Sequence, residues 1–427
     1  MNFLLHRMSL TQDFPQLKMK KFYSLVLLLQ VLFLTKGFAQ KIIVFKGDNI
    51  VIGQSVSILE DSTKHLDFNS IRKSSGFIQS HTQVPNLQLS TSVFWLRFTI
   101  NNESSENQLL LSLDYPTLGV CEFYYPVNGV YRSEKVSDNN RFDQRKYKHQ
   151  DFIFDVKVPN HSTATFYLKV QSNEQMVLPL VLGTPQKVAE TKLTRDLLWG
   201  VLIGILLVMI LYNTFVFIST KDISYLYYVL YTLFIALTQT SLSGYTYRFI
   251  FPNSPVLFNM GIIIFNALGG IAFSLFALSF LGIKEKMPIM GKVFKLIILL
   301  YSLTIIVRLF DYALVSYRMT DVCALVVTVS TYIVIIKLSR NGYRPAKFFL
   351  LAWTMFFAGI VLFVLRNLGI LPYNNYTNYT MPIGTAIEVI LLSLALADRI
   401  NIFKAEKEKS QEETLKALQE NEKIVRE

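Results

Sequence analysis

Histidine is scarce and stops early. The five are His6, His65, His81, His149 and His161, so the last 266 of 427 residues have none. That absence removes any phosphoacceptor histidine from the second half. It also removes the base that a hydrolase built within the apolar segments there would need. Cysteine is nearly as rare. Cys121 and Cys323 cannot form a disulfide framework, and no metal-type cysteine spacing exists. Both are expected to be small buried thiols. No P-loop, glycine-rich phosphate loop or metal-ligand cluster occurs. The sequence therefore predicts no catalytic residues, no cofactor, no metal and no enzyme activity. Charge is thin too: 17% of residues are charged, against 52% hydrophobic with 33 Phe and 22 Tyr, which is apolar for a soluble protein of this size. The net charge of +12 is dispersed among short loops between apolar runs, which argues against a nucleic-acid partner.

What is present is organised for a membrane. Lys18-Met19-Lys20-Lys21 precedes an apolar stretch, Phe22 to Leu34, too short to span comfortably. Gly37 and Ala39 then supply small residues at −3 and −1. This predicts a signal peptide over residues 1–39, cleaved after Ala39, with an uncleaved anchor as the alternative and Met19 as a second candidate start. Beyond Pro185, apolar runs predict seven spans: Leu197–Ile218, Ile223–Leu242, Val256–Leu281, Val293–Phe310, Met319–Leu338, Phe348–Leu368 and Met381–Ala397. An exported start and seven crossings leave the C-terminus in the cytoplasm. Loops on that predicted inner side carry nine Lys and Arg, and those on the outer side carry Arg248, Arg308, Arg318 and Arg366, four in all. The asymmetry follows the positive-inside rule and fits a bacterial inner membrane.

Residues 40–186 alternate with period two. Phe94, Leu96, Phe98 and Ile100 form one run, Phe152, Phe154, Val156 and Val158 another, and Phe166, Leu168 and Val170 a third. Leu109–Leu113 and Val120–Tyr125 read as further strands, and Asn128-Gly129 as a hairpin turn. Short strands without helical periodicity predict an antiparallel β-sandwich. The whole chain is thus expected to be a multi-domain membrane protein: a sandwich, a seven-helix bundle over 196–400, and a helix over 401–427.

Two sets of residues are candidates for function. On the sandwich, Trp95 and Arg97 share one face of a strand, a pairing that suits a sugar or small anion. The alternative is a buried Trp95 and an Arg97 paired with a surface acid. Tyr115, Tyr124 and Tyr125 stand under the same two readings. Within the spans, Glu388, Arg308, Arg366, Asn213, Asn259, Asn266 and Gln239 are costly in lipid. A Glu388–Arg pair is geometrically open, and Asn259 and Asn266 lie seven apart on one helix face. These groups either fix helix packing by hydrogen bonds or serve switching or ion passage. Gly269-Gly270 is the one candidate break in a span. The charged stretch from Asp398 has a weak seam at Leu415, Leu418 and Val425, so it is either a solvated helix or a dimeric signalling helix.

Several strings resemble a known family. Tyr212-Asn213 followed by Ser219-Thr220-Lys221-Asp222-Ile223-Ser224-Tyr225-Leu226-Tyr227-Tyr228 is similar to the first-to-second span junction of the bacterial seven-transmembrane receptors with diverse intracellular signalling modules (7TMR-DISM). Glu388 to Ile400 resembles that family's seventh span. Phe94-Trp95-Leu96-Arg97-Phe98, Asp114-Tyr115-Pro116, and Val170-Gln171-Ser172 with Leu178-Pro179-Leu180 resemble its type 2 extracellular domain. The resemblance implies a jelly-roll-like sensor domain for carbohydrate or another small ligand, and a bundle that passes the signal to a cytoplasmic module. No such module follows, so a truncated chain or a separate partner (a kinase or regulator) is expected, with a homodimer through the terminal helix. A solute transporter or channel with a capture domain is the alternative.

Overall fold

The computed structural model describes residues 41–138, 140–172, 175–368 and 370–426. The expected signal peptide lies outside the described residues. Residues 43–183 form strands β1 (Ile43–Phe45), β2 (Ile50–Val51), β3 (Ser57–Asp61), β4 (Ile78–Gln79), β5 (Asn86–Leu89), β6 (Val93–Asn102), β7 (Gln108–Leu113), β8 (Val120–Val127), β9 (Val130–Ser137), β10 (Phe152–Lys157), β11 (Ser162–Gln171), β12 (Gln175–Val177) and β13 (Leu180–Gly183). A seven-stranded sheet in the order β4-β3-β6-β11-β8-β9, with β1 also on β6, faces a four-stranded sheet, β10-β7-β13-β2. β12 and β5 form a separate ribbon.

The alternation seen in the sequence sets the layers. Phe94, Leu96, Phe98 and Ile100 of β6 point between the sheets, where they meet Phe123, Phe154, Phe166, Leu168 and Leu111. Burial of each such side chain is worth about 1.5–3 kcal/mol. The odd residues of β6 take the opposite face. Asn128 and Gly129 both have positive φ, 50° and 81°, and join β8 to β9 as a two-residue turn. One pairing departs from the expected antiparallel pattern: β1 runs parallel to the second half of β6. β3 runs antiparallel to the first half of β6, and the chain between β1 and β3 crosses to the other sheet through β2. The chain that joins β1 to β6, residues 46–92, is long enough for a parallel return. A short helix, α1 (Phe68–Lys73), lies between β3 and β4 and is capped by Asp67, whose side chain accepts from Ser70 N.

The remainder is helical: α2 (Pro185–Thr220), α3 (Ile223–Leu242), α4 (Pro255–Phe280), α5 (Pro288–Leu309), α6 (Ala313–Arg340), α7 (Arg344–Asn367) and α8 (Thr380–Arg426). Six are long and apolar enough to cross a membrane. The other, α3, is diluted by tyrosines, and Tyr225, Tyr228 and Tyr231 are buried in the bundle core. Each helix packs on its sequence neighbours, and α8 returns to α2, closing a ring. Leu197, Val201, Val208, Leu211 and Phe215 of α2 face outward, as lipid-facing residues should. The expected break at Gly269-Gly270 does not occur, because α4 is continuous there. A Cβ on Gly270 would lie 2.4 Å from the Tyr301 ring, so this glycine lets α4 and α5 approach. Cys121 and Cys323 are both buried, as expected.

Candidate functional site

α2 begins 12 residues before the first expected span, at Pro185 rather than Leu197. Thr184 caps it by accepting from Lys187 N, and proline is tolerated in the first turn, where no amide bond is lost. This early start carries Lys192 and Arg195, one turn apart, into the base of the sandwich. Lys192 Nζ contacts Asp114 beyond β7 and reaches Asp151 Oδ2 at 2.7 Å just before β10. Arg195 spans the same two carboxylates, 2.5 Å to Asp151 and 3.6 Å to Asp114. Asp151 is 1% exposed and Lys192 7%, so these charges stand in a low dielectric and depend on each other.

A second tier extends the junction to the α3–α4 connection. Asp196 accepts from Tyr245 Oη at 2.7 Å, from Arg248 Nη1 at 3.0 Å and from Gln150 Nε2 at 3.3 Å. Gly244 has φ +78°, and a Cβ there would lie 2.6 Å from Pro116 and 2.7 Å from Gln150. Only glycine allows the bundle backbone this close to the sandwich. Arg145 is buried, donates to the His149 and Gln150 carbonyls, and sits over the Phe142, Phe152 and Tyr247 rings. Phe142 N bonds Pro252 O at 2.9 Å, and Arg141 bonds Asn253 at 2.9 Å.

The electrostatics follow from burial. Burial by itself would raise the Asp151 carboxyl, but Arg195 and Lys192 outweigh it and hold the group below the usual carboxylate range. Burial lowers the His149 imidazole to about 4, against an opposing pull from Asp151. At neutral pH the junction therefore holds a neutral histidine beside ionised carboxylates.

A ladder of polar contacts within the membrane joins α8 to α2 and α3. The Tyr231 hydroxyl lies 2.8 and 2.9 Å from the two carboxylate oxygens of Glu388. Asn213 and Ser393 exchange hydrogen bonds at 3.0 and 3.1 Å. Gln239 donates to Thr385, and Tyr228 donates to the Val389 carbonyl. A Glu388–Arg pair is not formed. Arg308 donates to the Asn259 carbonyl at 2.6 Å and Arg366 to Asn378 at 2.8 Å, because Glu388 faces α3 and both arginines lie elsewhere in the ring. Asn266 is half-buried on α4. Further along α8, Asp398 pairs with Arg344 at 3.1 Å and Arg399 donates to Ser224. α8 then continues without interruption to Arg426.

The sandwich candidates separate by face. Trp95 and Tyr124 lie on the outer face of the larger sheet with Tyr167 and Tyr131, covered by Phe68 of α1. Phe68 stacks on Tyr124 at 4.3 Å, and Trp95 is 1% exposed. Arg97 is on the same face with its guanidinium 4.4 Å above the Phe77 ring. Tyr125, one residue from Tyr124, turns to the inner core, and Tyr115 packs against that core near the junction. The sequence did not single out Lys192, Arg195, Asp151, His149 or Asp196. The available signal was a pair of cations three residues apart immediately ahead of an apolar run.

Residues 53–184 match the family described as 7TMR-DISM extracellular 2, and residues 195–399 match that described as 7TM diverse intracellular signalling. Comparison with curated proteins gives no match. The two matched regions meet across the first turns of α2, where the buried ion pairs lie. The chain therefore belongs to the 7TMR-DISM family, membrane receptors that couple an extracellular sensing domain through transmembrane helices to intracellular signalling.

Proposed function

We propose that this receptor takes a carbohydrate or similar ring-bearing ligand on the outer face of the larger sheet and relays the event through α2 to α8. Trp95, Tyr124 and Arg97 offer stacking surface and a planar donor, chemistry suited to a sugar ring with polar substituents. The buried Trp95 Nε1 and Arg97 Nε have no hydrogen-bond partner among the described residues, and a ligand oxygen would satisfy them. Phe68 now fills the stacking position on Tyr124, so ligand entry requires α1 to move.

The observation that carries the relay is the 36-residue α2, whose outer turns are ion-paired to the sandwich while its inner turns bond α8 through Asn213. A shift of β7 or of the segment before β10 moves Asp114 or Asp151 and drags Lys192 and Arg195 with it. Ligand binding biases this shift only if affinity differs between the two arrangements. The sandwich faces the periplasm of a bacterial inner membrane, and the terminal helix enters the cytoplasm, in keeping with the nine-to-four loop charge. There it pairs with a second copy or a separate kinase or regulator. The domain limits are 1–39 for the signal peptide, 40–186 for the sensor, 196–400 for the bundle and 401–427 for the output helix. The test is a kinase reporter fused to the tail and exposed to a glycan panel. A response that is lost in Trp95→Ala supports the proposal; output indifferent to every glycan opposes it.

A further inference from the structure

The far end of α6 carries a groove that neither sensing nor relay uses. It holds about 680 Å³ and is lined by Leu325, Val329, Ile333 and Ile336 of α6 and Phe357 of α7, with Thr328 and Tyr332 between them. Tyr332 and Phe357 meet edge to face at 5.8 Å and form one wall. Lys337, Arg340 and Asn341 close one end. That end lies on the side of the bundle away from the sandwich, since α7 begins beside it and Arg344 pairs with Asp398 where α8 leaves the core.

Length and charge agree on one occupant. From Leu325 to Ile336 the lining advances roughly 16 Å at about 1.5 Å per residue, close to half of a ~30 Å hydrocarbon core. The groove therefore matches the depth of one leaflet. Its cations stand where that leaflet's headgroups begin, and neither Lys337 nor Arg340 is paired with a carboxylate among the described residues. A guanidinium and an ammonium beside an amide side chain form a phosphate site of known chemistry. Acyl chains of a lipid gain from burial against Leu325, Val329 and Ile333 as they would in any apolar cleft.

We infer that the groove between α6 and α7 is a site for one anionic phospholipid, its acyl chains along Leu325–Ile336 and its phosphate on Lys337 and Arg340. Binding in this groove does not depend on which leaflet it faces.

The experiment is native mass spectrometry of the full chain in detergent, supplied with phosphatidylglycerol or with phosphatidylcholine of the same chains. The expected result is a single retained phosphatidylglycerol at an occupancy at least tenfold above phosphatidylcholine. Lys337→Gln with Arg340→Gln should lower that occupancy about tenfold, and Val329→Trp, which fills the groove and leaves both cations, should remove it. Lys292→Gln with Lys295→Gln, exposed cations at the start of α5 on the same side, should leave it unchanged. Thermal melting in phosphatidylcholine shows whether each variant is folded. Equal retention of both lipids, equal loss in the α5 control, retention by folded Val329→Trp, or a dimer mass in place of the lipid adduct would each overturn the inference.

Discussion

Replacing Asp151 with Asn keeps the size of the side chain and removes the charge that Lys192 and Arg195 share. Asp151 is 1% exposed and Lys192 7%, so water cannot replace what is lost. Asp114 remains in contact with Lys192, but its distance to Arg195 is 3.6 Å, too long for a strong bond. Breaking a buried pair from one side costs about 3–5 kcal/mol, and the surviving Asp114 places the loss near 3 kcal/mol. Hydrogen exchange reads this locally, since amides of residues 185–196 exchange when the junction opens. A loss of about 3 kcal/mol accelerates their exchange roughly a hundredfold. Asp48→Asn is the control: Asp48 lies 4.0 Å from Lys187 with side chains 90% and 50% exposed, and an exposed pair contributes little. If Asp151→Asn accelerates exchange no more than Asp48→Asn does, the junction does not hold α2 to the sandwich.

Other outcomes follow from the same geometry. His149 is neutral in the folded state down to about pH 4, whereas an unfolded imidazole gains a proton near pH 6.5. Stability is therefore complete above that upper value and falls with acid at about 1.4 kcal/mol per pH unit, roughly 2 kcal/mol by pH 5. Hydrogen exchange of residues 145–151 at pH 7 and pH 5 should show this loosening in the wild type and not in His149→Gln. Tyr231→Phe takes the hydroxyl donor from Glu388 and should cost about 1–3 kcal/mol, seen as a lower melting temperature in detergent. Phe68→Ala removes the cover from Trp95 at a cost of about 3 kcal/mol, and acrylamide should then quench Trp95 fluorescence in a Trp199→Phe, Trp353→Phe background. Unchanged quenching would mean that α1 does not seal that face.

Much of the architecture was legible because its signals are local. The β6 alternation, the Asn128-Gly129 turn and the apolar runs depend on neighbours within a few residues. The junction was not, because Lys192 meets Asp114 and Asp151 across 78 and 41 residues and no periodicity reports such a meeting. The start of α2 was missed for a related reason: residues 185–196 are too polar for a span, and tertiary contacts rather than lipid hold them helical. Glu388 is legible by its cost in lipid, and the charge alone points to a cation as its partner. A tyrosine 157 residues away supplies the hydrogen bond instead. On the sandwich, alternation placed Trp95 and Arg97 on one face, while the cover from Phe68 depends on where the chain between β3 and β4 returns.

A relay from the sandwich junction through α2 to α8 requires Asp151 at the junction and Glu388 on α8 to act through one element. The most direct test is a double-mutant cycle on the basal output of a tail-fused kinase reporter, using Asp151→Asn, Glu388→Gln and both together. Groups acting through one element couple, so the double variant should depart from the sum of the singles by about 0.5–3 kcal/mol in the output equilibrium. Effects that add within about 0.3–0.5 kcal/mol would mean two independent sites and would contradict the relay.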